Sequence, residues 1–249
     1  MNEQKRLVGK QPAKQLMQNS GKGDFPLCPI DENIRKQKGQ NKKQRQIRCI
    51  TFDFGGVYTP TSIMEDVFAA YDAKHGTDVK KFWSKVYGSL YWDDFFKGLT
   101  TEVEFFSRIK QAFGNPGFDG EFFGQCIKKE SAKIDPRMQA LVSRLKSMGY
   151  RTAMLTNNAI EWFEHLVRDG SMDGFEYVLT SYDLGMKKPD ERIYKIMLRA
   201  VGVAGEECVF IDDLSRNTDA ARKLGISTIT FKSFEQASKE LEEIIGIKL

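Results

Sequence analysis

Four polar motifs stand at or close behind the ends of predicted strands. Asp53 follows a short apolar run and precedes Gly55-Gly56, and Thr156 ends a second run. Lys188 begins a Lys-Pro-Asp sequence ahead of a predicted helix, and the pair Asp212-Asp213 closes another run. In a parallel sheet the carboxyl ends of the strands meet at one edge, where ligands bind. The sequence therefore predicts three carboxylates, a hydroxyl and a lysine at a common edge.

This set of groups is suited to the transfer of a phosphoryl group. Adjacent carboxylates attract a hard cation such as Mg²⁺, and Mg²⁺ together with a lysine and turn amides would neutralise phosphoryl oxygens. An aspartate can then act as the covalent nucleophile. Taken singly, each motif is also typical of a structural role, because aspartates often cap helices and Lys-Pro pairs often start them. The order of the motifs and their shared position make the pattern specific.

Short apolar runs predict the strands that position these groups. Strands are predicted at residues 47–53, 151–156, 176–180, 208–212 and 226–231. Apolar residues at helical spacing lie between them, for example over residues 138–148 and 193–200. Strands that alternate with helices predict the fold class α/β, with a doubly wound parallel sheet.

One interval breaks this alternation. Residues 60–135 carry helical stripes of apolar residues and no convincing strand, which predicts a helical cap inserted after the first strand. The α/β core would then comprise residues 47–59 and 136–249. Residues 1–46 are rich in Gln, Lys, Asn and Gly, so we expect a basic, mostly disordered tail that cannot bury enough apolar surface to fold.

The positive charge of the chain is concentrated in that tail. The net charge is +4 over 249 residues, but residues 1–46 alone carry +7 and the remainder carries −3. The segment Lys42-Lys43-Gln44-Arg45 could contact RNA or an anionic membrane surface, although such runs are more often solvated without a specific partner. The predicted partner of the folded part is a small phosphorylated substrate.

The remaining composition excludes several classes of protein. No apolar run is long enough to span a bilayer. The four cysteines form no Cys-x-x-Cys pair, which argues against a zinc ribbon or a disulfide framework and favours reduced, buried thiols. Two histidines are too few for a histidine-rich metal site. We expect a cytoplasmic protein, with organellar targeting by the tail as the alternative.

The motifs together resemble the haloacid dehalogenase (HAD) superfamily, in the helical-cap branch that includes the phosphatase domains of epoxide hydrolases. The resemblance extends over about residues 47–246, with all four motifs in order. Within the insertion, Gly98-Leu99-Thr100 and Glu104-Phe105 also resemble the cap pattern of that branch. The four motifs are Asp53-Phe-Gly-Gly-Val57, Leu155-Thr-Asn-Asn158, Lys188-Pro-Asp190 and Phe210-Ile-Asp-Asp213.

The resemblance implies a role for each matching residue. Asp53 would attack phosphorus and become an aspartyl phosphate, with Lys188 and Thr156 as its catalytic partners. Lys188 is preferred to Lys187 because it adjoins the proline. The implied phosphate-binding residues are Phe54, Gly55, Thr156, Asn157 and Lys188. The implied Mg²⁺ ligands are Asp53, the backbone carbonyl of Gly55, Asp212 and Asp213.

Gly55 departs from the pattern of the family's phosphatases, which usually carry a second aspartate at this position. That aspartate protonates the leaving group, a contribution of about 10²–10⁴ in rate. One interpretation is a Mg²⁺-dependent phosphomonoester hydrolase that acts on small metabolites with good leaving groups. The alternatives are a catalytically weak or inactive domain that binds a phosphorylated ligand or a protein partner, and, less favoured, a haloacid-type dehalogenase. Asp212-Asp213 argues against the last, because displacement of halide needs no metal.

Polar and aromatic residues of the insertion are candidates for substrate contact. They are Trp83, Tyr91, Trp92 and Asp93. Asp93 or its neighbour Asp94 could also replace the missing acid. Aromatic residues in a helical bundle more often form its core, and charged residues more often lie at solvated helix ends.

Overall fold

A five-stranded parallel sheet forms the centre of the molecule. In this computed structural model, residues 46–249 are described. The strands are β1 (Cys49–Phe52), β2 (Arg151–Thr156), β3 (Tyr177–Thr180), β4 (Cys208–Asp212) and β5 (Ser227–Thr230). Their order across the sheet is β3-β2-β1-β4-β5. β1 is therefore central, with Phe52 in register with Met154 on one side and Ile211 on the other.

Helices follow the strands and cover both faces of the sheet. They are α6 (Pro136–Ser147), α7 (Ile160–Arg168), α8 (Ser181–Leu184), α9 (Glu191–Val201), α10 (Ser215–Arg222) and α11 (Phe234–Ile245). Side chains of α6, α7 and α11 pack on one face, and those of α9 and α10 on the other. Each face is a separate apolar cluster, because successive side chains of a strand point to opposite faces. The predicted doubly wound α/β fold is confirmed.

Five helices fill the interval between β1 and α6. They are α1 (Ile63–His75), α2 (Val79–Val86), α3 (Leu90–Phe96), α4 (Glu102–Ala112) and α5 (Gly120–Ser131). Their inward faces form an aromatic cluster in which Phe95 stacks on Phe105 at 4.5 Å and Trp83 lies 4.2 Å from Phe123. We call these five helices the cap, in agreement with the predicted helical insertion.

Trp162 joins the cap to the rest of the fold. It lies in the first turn of α7, behind β2, yet its ring belongs to the aromatic cluster of the cap. Its centroid is 4.9 Å from that of Phe95, and its indole N–H donates to the Glu102 carboxylate at 2.6 Å. The cap cluster is therefore completed by a side chain from outside the cap.

Three further contacts join α3 and the turn after it to α8 and the segment that follows α8. The Ser181 hydroxyl donates to the carbonyl of Phe96 at 2.6 Å and accepts the N–H of Asn158 at 3.1 Å. A Cβ on Gly98 would lie 2.7 Å from the carbonyl oxygen of Tyr182, so glycine permits this close approach. The side chains of Asp93 and Lys187 form an ion pair across the same junction.

The strand predictions agree with the structure to within two residues at each end. The regions 151–156 and 208–212 match β2 and β4. Cys49, Cys126 and Cys208 are buried and free, as expected of reduced thiols, whereas Cys28 lies outside the described residues. The predictions for the basic tail also fall outside them, except at Gln46. No helix formed by the described residues is both long and apolar enough to cross a membrane.

Removing the Ser181 hydroxyl should weaken the junction between cap and core. Ser181→Ala leaves the Phe96 carbonyl and the Asn158 N–H without this partner, at an expected cost of about 2 kcal/mol in the free energy of unfolding. Urea unfolding would measure it. Ser84→Ala is the control, because the exposed Ser84 hydroxyl bonds only within its own helix, and its effect should stay below about 0.5 kcal/mol. Equal effects of the two changes would show that the Ser181 hydroxyl does not stabilise the junction.

Candidate active site

The structure brings the predicted carboxylates together at the carboxyl edge of the sheet. Asp53 immediately follows β1, and its N–H donates to the carbonyl of Ile211 in β4 at 2.8 Å. Asp212 ends β4, so the two aspartates lie at neighbouring strand ends. One carboxylate oxygen from each of Asp53, Asp212 and Asp213 lies within 4.8 Å of the others. The edge therefore holds three acids in one cluster.

Lys188 lies between two of these carboxylates. Its ammonium is 2.8 Å from Asp53 Oδ1 and 2.7 Å from Asp212 Oδ2. The Lys188 and Asp212 side chains are buried from solvent, and Asp53 nearly so. Burial alone would lower the pKa of Lys188, but the attraction of Asp53 and Asp212 outweighs burial and raises it. Lys188 is therefore held in its charged form.

Two asparagines fix the position of these charged groups. The Asn157 side chain accepts the N–H of Lys188 at 2.8 Å and donates to its carbonyl at 3.0 Å. The Asn217 amide donates to both oxygens of Asp212, at 2.9 and 3.1 Å. The sequence pointed to a backbone contact for Asn157 with phosphate, and it did not indicate that its side chain clamps the Lys188 backbone.

Burial dominates the titration of Asp53. Loss of hydration raises its pKa to about 7, against the opposing attraction of Lys188. Asp53 Oδ1 also accepts the N–H of Phe54 at 2.6 Å. Burial likewise raises the pKa of Asp213, with repulsion from Asp212 adding to it. In this cluster three carboxylates face one ammonium, so the charge of the acids is only partly compensated.

The cluster has the donors that a divalent cation requires. Carboxylate and carbonyl oxygens are the ligands that Mg²⁺ prefers, and the uncompensated negative charge favours a cation there. A Cβ on Gly56 would lie 2.6 Å from Asp213 Oδ2, so only a glycine lets the loop after β1 approach that carboxylate so closely. The residues that could hold the ion are Asp53, Gly55, Asp212 and Asp213.

A cleft of about 660 Å³ lies between this edge and the cap. Its core side is lined by residues of all four predicted motifs, which are Asp53, Phe54, Gly55, Thr156, Asn157, Lys188 and Asp213. The structure thus brings the predicted phosphate-binding residues to one cavity. A phosphoryl group would fill only a part of this volume, which leaves room for an organic group beneath the cap.

The cap residues predicted to contact substrate divide into two groups. Trp92 lines the cleft. Trp83 does not: it is 1% exposed and packs inside the cap cluster, away from the cleft lining. Tyr91 and Asp93 also lie outside the lining, because the ring of Tyr91 packs on Phe113 and the carboxylate of Asp93 pairs with Lys187 and Lys97.

Other residues of the lining were not anticipated as site residues. Trp162 is the clearest case, and its position six residues after Thr156 in the helix behind a site strand is a signal that could have indicated it. Ile63 and Ile127 belong to the predicted helical insertion and had no predicted role in the site. They line the cleft from α1 and α5.

The described lining of the cleft holds no carboxylic acid or histidine outside the carboxylate cluster that could replace the missing second aspartate. The acids of that lining are Asp53 and Asp213, both in the carboxylate cluster, and no histidine is present. Asp93 and Asp94 lie outside the lining, so the expectation that they replace the acid finds no support. A Cβ on Gly55 would meet no atom within 4 Å, so the position of the absent side chain is open space.

Comparison with known proteins gives a family match and several relatives. A family model described as haloacid dehalogenase-like hydrolase matches residues 47–225. Acyl-CoA dehydrogenase family member 10 of Mus musculus is 33% identical over 82% of this chain, but the match covers 20% of that protein. A sesquiterpene phosphatase of Aspergillus oryzae is 27% identical over 80% of this chain and 97% of its own length. The chain thus spans about a fifth of the mouse protein and nearly all of the fungal one.

Solved structures show the same fold. A HAD family enzyme of Bacteroides thetaiotaomicron, an aspartate-to-alanine mutant in complex with magnesium and inorganic phosphate, superposes with a TM-score of 0.65. It is 22% identical, over 78% of this chain and 98% of that chain. L-2-haloacid dehalogenase of Xanthobacter autotrophicus gives a TM-score of 0.56 at 17% identity, over 80% of this chain and 83% of that chain.

Replacing Asp53 by a neutral isostere should stabilise the metal-free protein in a pH-dependent way. The pKa of Asp53 is about 7 in the folded state against 3.8 ordinarily, so the native state loses stability as pH rises from about 4 to 7. Asp53→Asn removes that loss. We expect a gain of about 2 kcal/mol at pH 8 and little change at pH 4, measured by urea unfolding in EDTA.

The control for this experiment is Asp94→Asn, a carboxylate outside the cluster, which should show no such pH dependence. A loss of stability for Asp53→Asn at pH 8 in EDTA would contradict the expected gain. That result would mean that the contact with Lys188 outweighs the cost of burying the charge.

Proposed function

We propose, from the premise that this chain belongs to the haloacid dehalogenase-like hydrolase family, that it is a Mg²⁺-dependent phosphatase acting through an aspartyl phosphate. Its substrates would be small phosphate esters with good leaving groups. In this proposal residues 60–135 form the cap over a core of residues 47–59 and 136–249. The observation that carries it is the cluster of Asp53, Lys188, Asp212 and Asp213 beside a cleft that opens under the cap.

Asp53 is the proposed nucleophile. Lys188 and the Phe54 N–H both contact Oδ1, which orients the carboxylate and leaves Oδ2 to attack. A bond forms between Asp53 and phosphorus as the bond from phosphorus to the leaving oxygen breaks, and that oxygen keeps the electron pair. Water then attacks phosphorus, which returns the electron pair to the Asp53 carboxylate and releases one proton to solvent.

The surrounding residues stabilise the phosphoryl group. The Thr156 hydroxyl and the backbone amides of Gly55 and Asn157 would bind its oxygens, and Lys188 would compensate its charge. The Phe54 amide is already engaged with Asp53 Oδ1. Asp53, Gly55, Asp212 and Asp213 would hold Mg²⁺, which supplies further positive charge to those oxygens when bound. Such a donor set supports phosphoryl transfer better than displacement of halide, because a haloalkane carries no phosphoryl oxygens for a second cation to neutralise.

The open position at Gly55 limits the leaving group. No carboxylic acid outside the carboxylate cluster and no histidine lines the described cleft, and the Lys187 ammonium in its lining is paired with Asp93. The leaving oxygen therefore departs without a carboxylic acid or imidazole to protonate it. Esters of weakly basic leaving groups tolerate this, whereas alkyl phosphates lose the contribution of general acid catalysis.

The relatives support phosphatase chemistry without naming a substrate for this chain. A sesquiterpene phosphatase and a glyceraldehyde 3-phosphate phosphatase are among them, and the Bacteroides enzyme was crystallised with magnesium and inorganic phosphate. The substrates in these names have only the phosphate group in common, so the relatives support the reaction and not a particular substrate.

Hydrolysis of p-nitrophenyl phosphate tests the proposal directly. This leaving group needs little protonation, so Gly55 should not prevent turnover. We expect activity with Mg²⁺, no activity in EDTA, and a loss of at least about 10³-fold in Asp53→Asn. The assay releases p-nitrophenolate, which absorbs visible light.

Asp94→Asn serves as the matched control and should keep wild-type activity. Full activity of Asp53→Asn would disprove the nucleophile assignment. Absence of turnover in a folded protein that still binds Mg²⁺ would favour the alternative of a ligand-binding domain.

Restoring the missing acid should extend the range of substrates. Gly55→Asp introduces a carboxylic acid into open space, and we expect it to raise kcat on alkyl phosphates by about 10²-fold. Gly55→Asn introduces a side chain of the same size without the acidic proton and should give no such gain. A comparable increase in both variants would mean that the side chain acts by shape and not by proton transfer.

A further inference from the structure

We infer that the substrate is a phosphate monoester or acyl phosphate whose leaving group is both apolar and weakly basic. That description fits an aryl phosphate or the acyl phosphate of a hydrocarbon acid. The inference rests on the proposed phosphatase function and names its substrate class. It follows from two independent features of the cleft, which are the composition of the cap-side wall and the absence of a carboxylic acid or histidine outside the carboxylate cluster.

The cap-side wall of the cleft is mainly apolar. The described residues that form it from residues 60–135 and from α7 are Pro60, Thr61, Ile63, Met64, Tyr87, Gly88, Trp92, Phe96, Ile127, Ser131 and Trp162. Sugars and other polyols need hydrogen-bond partners for each hydroxyl that they bury. This wall fits a hydrocarbon better than a polyol.

Three polar groups near this wall are already engaged. The Ser131 hydroxyl donates to the carbonyl of Lys128 within its own helix at 3.1 Å. The indole N–H of Trp162 donates to Glu102, so this ring offers the cleft its carbon surface. At the floor, the Thr59 hydroxyl donates to the Phe54 carbonyl at 3.2 Å. These groups are satisfied within the protein and do not require a polar substrate.

The aromatic rings of the wall form a preorganised surface. Trp92 stacks on Phe96 with centroids 4.0 Å apart, and Trp162 lies 6.1 Å from Trp92. Tyr87 extends this surface outward, 4.7 Å from Trp92, and is 61% exposed. A flat apolar group can pack here without ordering new side chains, which favours binding.

The second feature restricts the chemistry of that apolar group. An alkyl alcohol is a strongly basic leaving group and requires protonation, whereas a phenolate or a carboxylate leaves unaided. Because Gly55 supplies no acid, an apolar alkyl phosphate would bind to this cleft but react slowly. A substrate that packs on the apolar wall and reacts without a proton donor at Gly55 carries an aryl or acyl group on the oxygen of the scissile bond.

A set of five phosphates separates the two requirements in the wild-type enzyme with Mg²⁺. Naphthyl and benzoyl phosphate combine an apolar group with a weakly basic oxygen and distinguish the aryl source from the acyl source. Acetyl phosphate lacks the apolar group, octyl phosphate lacks the weakly basic oxygen, and glycerol phosphate lacks both. We expect the KM of naphthyl or benzoyl phosphate to be at least about tenfold below that of acetyl phosphate. The kcat of octyl phosphate should fall about 10²-fold or more below theirs.

Replacement of Trp92 links this preference to the wall. Trp92→Ala should reduce the ratio of kcat/KM for naphthyl phosphate to that for acetyl phosphate about tenfold. Tyr91→Ala, on the same helix but packed against Phe113 outside the cleft, should leave the ratio unchanged. Inhibition of the wild-type enzyme tests the same preference without a substitution. Naphthylphosphonate should inhibit it at least about tenfold more strongly than methylphosphonate.

The outcomes distinguish this inference from the function on which it rests. Equal KM values for naphthyl, benzoyl and acetyl phosphate, or equal inhibition by the two phosphonates, would overturn the inference and leave the phosphatase intact. A kcat for octyl phosphate equal to that for naphthyl phosphate would overturn the part of the inference that requires a weakly basic leaving group. If none of these esters and no p-nitrophenyl phosphate is hydrolysed, the proposed function fails and the substrate class fails with it.

Discussion

The arrangement of the whole site depends on one buried lysine between two aspartates. Asp53 and Asp212 end neighbouring strands, and two carboxylates that close would repel each other strongly in a site shielded from water. The Lys188 ammonium, within 2.8 Å of both, makes their coexistence tolerable. Removal of the lysine would leave both carboxylates buried without their counter-charge. The loop that carries Lys188 is accordingly fixed by two hydrogen bonds with the side chain of Asn157, which accepts the Lys188 N–H and donates to the Lys188 carbonyl from just beyond the end of β2.

The parallel sheet converts motifs far apart in sequence into neighbours. Asp53 and Asp212 are separated by 158 positions, yet their strands pair directly, with Phe52 opposite Ile211. This adjacency requires only that β1 be central and that all strands run the same way. The order and direction of the strands therefore determine where the site lies. The loops determine its finer geometry, such as the close approach of Gly56 to Asp213.

This distinction between strand order and local packing explains which parts of the site the sequence could predict. Strand-end residues could be identified because apolar runs mark strands and parallel strands share an edge. The direction in which a cap helix points could not, since it depends on how that helix packs against others. Trp83 and Trp92 look alike in sequence, yet one is buried in the cap cluster and the other faces the cleft. Trp162 escaped attention because it follows a core strand, and only the assembled fold places its ring beneath the cap.

The position of Trp162 also bears on how caps are exchanged between proteins of this architecture. The inserted helices do not enclose a self-sufficient core, because a ring from α7 completes their cluster and its N–H is bonded to Glu102. A graft that moved only the insertion would leave a gap in the transplanted cluster, and Glu102 would lack its indole donor in the recipient protein. The piece that could be transferred as a whole is thus the insertion together with the first turn of α7. We expect the sequences of these two segments to change together in evolution, so that a substitution in one is matched by a substitution in the other.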